Sequence, residues 1–226
     1  MFERSVLSEK HDEKVVAIYA SRLRDLSHFI QSGAKILDVG SGNGIFVSVA
    51  QRAEYTVSAM DKSTACVRHV RRMGIRAYSD LTKVPTDTYD AITLFDVIEH
   101  IPQPRTFIRA VRAKLRKNGI LMITTPNNQG ITAHMAPSYL TTGDGQYSGH
   151  VVLYAPVTLA RLLRPGFDLL ETKTDILLQW CHTKHILWNK ALNKCVYLFL
   201  TPFMPFLFSQ LRGDNIQIIA RKNLKK

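Results

Sequence analysis

Three glycines spaced two apart, Gly40, Gly42 and Gly44, separate two apolar runs. The first run, Lys35 to Val39, has the length and branched residues of a buried strand. The second, Ile45 to Ala50, begins at helical density. Glycines at a strand-to-helix turn permit positive φ and let a ligand lie against bare backbone amides. A tight structural turn would use the same residues, so the glycines alone do not decide the matter. The dinucleotide fingerprint G-x-G-x-x-G/A places its third glycine where this chain has Ile45, which argues against a nicotinamide-dependent oxidoreductase.

The chain around this turn alternates strand and helix. Val16, Tyr19, Leu23, Leu26 and Ile30 recur at steps of three and four, which predicts an amphipathic helix stopped by Gly33. Tyr55 to Met60 predicts a second strand ending at Asp61, 21 positions beyond Gly40. A carboxylate at that strand tip can accept both hydroxyls of a ribose, and it can also cap the helical stretch from Ser63 to Met73. A short strand, Ile75 to Tyr78, closes at Ser79-Asp80, and Tyr89 to Phe95 predicts a fourth strand covered on both faces. Beyond Pro102 and Pro104 a helix is expected from Arg105 to Lys117, capped by Asn118-Gly119, then a fifth strand from Ile120 to Thr124. This alternation with short links implies an α/β doubly wound, parallel sheet with right-handed crossovers. Ligands in such sheets bind beyond the carboxyl ends of the strands, where the glycine turn, Asp61, Asp80, Asp96 to His100 and Pro126-Asn127 all fall.

Asp38-Val39-Gly40-Ser41-Gly42-Asn43-Gly44 resembles motif I of the class I S-adenosylmethionine-dependent methyltransferases. Asp96-Val97-Ile98-Glu99-His100 matches the segment after that family's fourth strand, commonly an acid, two apolar residues and Glu-His. Thr125-Pro126-Asn127, and later His150, a helix from Val157 to Leu163 and Gly166-Phe167, continue the likeness, which spans Lys35 to about Lys222. The resemblance implies a Rossmann-like sheet, with seven strands expected, in a single domain over 1–226. It also implies S-adenosylmethionine as cofactor, held by Asp38, Gly40, Ser41, Gly42, Gly44, Asp61, Lys62, Asp80, Leu81, Asp96 and Val97. Within the family it points to the small-molecule branch, similar to quinone-biosynthesis O-methyltransferases, with a small or lipid-like acceptor. Transfer to oxygen needs a proton removed, and His100 and His150 are the candidate catalytic residues, with His134 between them; each can instead brace its loop.

Three regions fall outside the regular alternation. An N-terminal helical segment occupies 1–33. Residues 128–150 lack apolar periodicity but carry four glycines, Tyr139 and Tyr147, as expected of a lid. Residues 180–212 form a hydrophobic insertion before the last strand, Asn215 to Ala220. Its core, Cys195 to Phe208, is too short and proline-broken to span a bilayer but suits a membrane surface, a cover for the sheet or a dimer contact. The net charge of +12 and pI near 9.8 favour an anionic partner: a phospholipid surface, a phosphorylated substrate or nucleic acid. An RNA methyltransferase and a non-catalytic nucleotide-binding protein at a membrane therefore stand as alternatives, although Asp96-Val97-Ile98-Glu99 lacks the N-P-P-Y-like signature of base-amine enzymes. Cys66, Cys181 and Cys195 form no C-x-x-C pair, and no metal site is expected; the charged start Met1 to Lys14 argues against a signal peptide. A cytoplasmic protein, peripheral on the inner face of the membrane if the insertion binds lipid, is the expectation.

Overall fold

The computed structural model describes residues 13–130, 133, 149–175 and 213–223. Seven strands form one sheet in the order β3-β2-β1-β4-β5-β7-β6. They are β1 (Lys35–Val39), β2 (Thr56–Met60), β3 (Arg76–Tyr78), β4 (Tyr89–Phe95), β5 (Leu115–Pro126), β6 (Phe167–Asp175) and β7 (Asn215–Lys222). Among the described residues five α-helices accompany them: α1 (Glu13–Ser27), α2 (Ile45–Arg52), α3 (Thr64–Arg72), α4 (Pro104–Lys114) and α5 (Pro156–Leu163).

The first five strands are parallel, as the alternation predicts. β7 enters between β5 and β6 and runs antiparallel to both, so the seven-stranded sheet is mixed. Hydropathy periodicity carries no strand direction, so the reversal was not readable from it.

Each face of the sheet has its own core. Leu23 and Leu26 of α1, Phe46 and Val47 of α2, and Val67 and Val70 of α3 cover one face. Ile108 and Val111 of α4 and Leu159 and Leu163 of α5 cover the other. The central strands alternate between the two: Leu37, Ile92 and Leu121 face α4 and α5, while Ile36, Ala91 and Ile120 face the remaining helices. A strand so covered must be apolar throughout, and β4 is, apart from the partly buried Asp90 and the buried Thr93.

One helix boundary departs from expectation. Asn118-Gly119 does not cap α4; the helix ends at Lys114 and its C-cap is Leu115. Leu115 is fully buried and pairs with Tyr89, while the Lys114 ammonium donates to the Val84 carbonyl at 2.6 Å. These contacts pull the chain into the sheet early. Asn118, at φ 60°, then marks the irregularity before regular pairing resumes at Ile120 and Ala91.

Candidate active site

The glycine turn is built by two different demands. Gly40 has φ +80°, and a β-carbon there would lie 2.3 Å from Val97 Cγ2. This glycine therefore exists to admit Val97, which brings the segment after β4 against the turn after β1. Gly42 has φ +52° and nothing within 4 Å of its β-carbon position, so it faces open space. Gly40 and Ser41 donate to the Met60 carbonyl at 2.7 and 3.2 Å, and Gly44 donates to the Ser41 carbonyl at 2.9 Å. Gly44 is the N-cap of α2 and supplies no side-chain cap, leaving the positive end of the helix available to a ligand.

Asp61 closes this turn from β2. Its carboxylate accepts from the Gly42 amide and the Ser63 amide, both at 2.8 Å. The N-cap of α3 is Ser63, whose hydroxyl accepts from Cys66 N. Asp61 therefore ties the glycine turn to the start of α3 without being its N-cap. Asp80 follows β3, fully exposed, and accepts from Thr82 N at 2.6 Å, capping the 3₁₀ turn Leu81–Lys83. That hydrogen bond, aided by Lys83 and Lys62, holds its carboxyl below the ordinary range.

Asp38 lies inside β1, 3 % exposed, opposite Thr93 of β4, whose hydroxyl donates to it at 2.7 Å. Burial pushes its carboxyl up to about 7, with the Asp61 charge adding to the rise and the Thr93 bond opposing it. Asp96 sits in the left-handed region at φ 55°, a conformation a non-glycine residue keeps only where its surroundings demand it. The Asp96 amide donates to the Thr124 carbonyl and its carboxylate accepts from the Thr124 hydroxyl at 3.2 Å.

Three residues that sequence reasoning did not place in the site join it. Arg22 of α1 is 7 % exposed, stacked over the rings of Phe95 and Tyr19, with its guanidinium 4.0 Å from the Asp96 carboxylate. Glu99 is 2 % exposed and accepts from the Thr125 hydroxyl at 2.9 Å, while its Oε1 has no partner among the described residues. Burial, reinforced by Asp96, raises its carboxyl to about 7. Tyr154 is buried, its hydroxyl likewise without a partner among the described residues, and burial and the charge of Glu99 push its phenol up to about 12. Glu99 carried a signal, its place in the Glu-His motif; Arg22 and Tyr154 carried none.

The two histidines meet. The His100 and His150 rings are 4.9 Å apart, and His100 Nδ1 is 2.9 Å from the Gly149 carbonyl. A carbonyl only accepts, so this contact puts the proton on Nδ1 and leaves Nε2 of the neutral ring as an acceptor. Glu99, His100 and His150 each bring a donor atom within 4.8 Å of the others, a set that could hold a metal ion and that the sequence did not suggest. His134 lies outside the described residues, as do most of the lid and the whole insertion, including its Cys181, His182, His185 and Cys195.

A parallel-cored sheet carrying a glycine turn, a buried acid in β1 and a second acid at the tip of β2 defines a class I S-adenosylmethionine-dependent methyltransferase, an enzyme. The chain belongs to the methyltransferase domain family, whose model matches residues 11–172. Its cofactor is S-adenosylmethionine. A ubiquinone biosynthesis O-methyltransferase of Xanthomonas oryzae pv. oryzae is 31% identical over 197 residues, 79% of each chain. The fold is that of a SAM-dependent methyltransferase from Archaeoglobus fulgidus, with a TM-score of 0.65 at 17% identity over 92% of this chain and 94% of that one. It is also similar to the 1,6-didemethyltoxoflavin-N1-methyltransferase of Burkholderia thailandensis, solved with bound S-adenosylhomocysteine, at a TM-score of 0.59 and 15% identity over 94% and 80%.

Proposed function

We propose that the protein methylates a hydroxyl of a small, quinone-precursor-like or lipid-like acceptor, with His100 as general base. The observation that carries this reading is the His100 Nδ1 contact with the Gly149 carbonyl, which points an acceptor nitrogen away from the loop at the end of β4. The name of the 31%-identical Xanthomonas relative supports oxygen as the target atom.

The residues present fit the cofactor. Gly42 leaves room where the ligand would meet the backbone, Asp61 and Asp80 stand at consecutive strand tips, and Arg22 offers a buried cation for a carboxylate. S-adenosylmethionine supplies a sulfonium-activated methyl group, so the protein has chiefly to align the acceptor oxygen with it. Val97, pressed against Gly40, fixes the wall between the two ligands. His100 Nε2 takes the hydroxyl proton, and the neighbouring Glu99 carboxyl stabilises the positive ring that results.

A second reading of the same corner rests on Glu99, His100 and His150. The unpartnered Glu99 Oε1 suits a divalent cation, which would lower the pKa of an acceptor hydroxyl without a base. Labelled S-adenosylmethionine offered with catechol, quinone-precursor, lipid, glycan and tRNA fractions tests the proposal. Label in a hydroxylated ring fraction, resistant to chelators, is the expected result. Chelator-sensitive transfer favours the cation, and label in tRNA alone overturns the small acceptor.

The membrane-surface assignment rests on the composition of Cys195 to Phe208 and its flanking lysines, and the cytoplasmic one on the odd, unpaired spacing of Cys66, Cys181 and Cys195. Among the described residues no helix is long and apolar enough to cross a membrane.

A further inference from the structure

The face of the sheet covered by α4 and α5 carries a groove of about 250 Å³ whose walls hold Arg105, Arg109, Arg112 and Arg161. Arg105, Arg109 and Arg112 follow one another at steps of four and three along α4, so they project from a single stripe. Arg161 faces them from α5. Neither helix contains an acid, and among the described residues no carboxylate lines the groove. Like charges at helical spacing repel.

One of the four is held in place. Arg112 Nε donates to the Gly166 carbonyl at 3.0 Å, and its Nη2 donates to the Asn223 carbonyl at 2.8 Å. A β-carbon on residue 166 would lie 2.8 Å from Arg112 Cδ, so Gly166 is what lets the side chain lie along the backbone. Among the described residues no ion pair is formed by Arg105, Arg109 or Arg161. The floor is apolar, formed by Ile108, Leu163 and Phe167. Phe167 opens β6 at the amino edge of the parallel strands, opposite the glycine turn. The groove shares no lining residue with the candidate active site.

We propose that this groove binds a phosphate ester group. Guanidinium forks match phosphate oxygens in pairs, and several converging on one small cavity bind an anion far better than scattered surface charge. The volume lies just below the ~300–1,000 Å³ of sites that enclose a whole drug-sized ligand, and it suits a headgroup more than an entire molecule. Single-stranded RNA would need exposed rings for its bases to stack on, and Phe167 is 1 % exposed. A soluble phosphate ester and a phospholipid headgroup share the chemistry the groove recognises.

The test measures binding of inorganic pyrophosphate, and of phosphatidylcholine vesicles with and without phosphatidylglycerol, at low salt. Three proteins are compared: wild type, the double variant Arg109→Gln/Arg161→Gln, and a charge-matched control, Arg68→Gln/Arg72→Gln, on exposed positions of α3. Loss of two charge-assisted contacts should weaken binding at least about tenfold in the first variant, while the control should change it less than about twofold. Stabilisation by S-adenosylhomocysteine should be unchanged in both, which separates this inference from the reading of the active site. Pyrophosphate binding would identify a soluble ligand, and binding confined to phosphatidylglycerol vesicles would identify the lipid headgroup. Equal losses in the two variants, or no binding of either probe by wild type, would overturn the proposal. So would RNA binding through the same arginines with neither probe bound.

Discussion

The Asp61 carboxylate accepts a hydrogen bond from the Gly42 amide at 2.8 Å, tying the tip of β2 to the middle of the glycine turn. The residue proposed for the ribose thus also shapes the backbone proposed to carry the cofactor. Asp61→Ala should abolish the rise in melting temperature that S-adenosylhomocysteine gives wild type, a stabilisation of about 2.7 kcal/mol at a hundredfold excess over Kd. Asp61→Asn, which can still accept from Gly42, should keep the turn and recover part of the shift. An unaltered shift in Asp61→Ala would remove this residue from the cofactor site.

Gly40 and Gly42 should respond differently to substitution. Gly40→Ala meets Val97 at 2.3 Å and keeps a left-handed φ, so unfolding in urea should show a loss of about 2–4 kcal/mol. Val97→Ala in the same chain should restore part of it, because the two residues share one contact. Gly42→Val has no neighbour to strike and should lose only about 1–2 kcal/mol, yet it should block the ligand. Calorimetry with S-adenosylhomocysteine checks the second half.

The buried Asp38 makes the stability of the free enzyme depend on pH. Its folded-state pKa, about 7, lies above the unfolded value near 3.8, so the native state holds the proton more tightly. Its contribution is fully present below about pH 4 and is lost as pH rises through 7. The ceiling on that loss is about 4 kcal/mol, and relaxation around the ionised group reduces it. Glu99, raised to about 7, acts with the same sign. Urea midpoints at pH 5.5 and 8 should fall more for wild type than for Asp38→Asn; equal falls would show that Asp38 is not the group involved.

His100→Ala should lower turnover by roughly 10²–10⁴-fold with affinity for S-adenosylhomocysteine retained. His100→Gln, able to keep a donor toward Gly149, distinguishes the roles. If glutamine restores activity, the side chain is a brace for the Gly149-His150 segment. If only the loop position recovers and the rate does not, the ring nitrogen is the base.

What could be read in advance was what local chemistry decides. Gly40 to Gly44 and Asp61 act through backbone angles and short spacings, and both are written in one stretch of chain. Arg22 was invisible because its partners, Phe95 and Asp96, come from the far end of β4 and meet it only after α1 packs on the sheet. Asn118-Gly119 misled because it is a good helix stop by composition, whereas the burial of Leu115 ends α4 first. The Glu99 burial was hidden for a related reason: it depends on the chain packed around one short 3₁₀ turn, in which the adjacent His100 stays exposed.

The placement of β7 fixes where the chain leaves the sheet and where it returns. Asp175, the last residue of β6, pairs with Asn215, the first of β7, and Asn215 also pairs with Pro126 at the carboxyl end of β5. The chain therefore leaves the sheet and re-enters it at adjacent points on the catalytic rim. Gly213 guards the return, since a β-carbon there would lie 2.8 Å from the backbone of Thr174 and Asp175. The closing rungs of this strand pair, Asp175 with Asn215 and Thr174 with Ile216, join residues on either side of 176–212, so the register of β6 against β7 is held at the rim by the strands' own backbones.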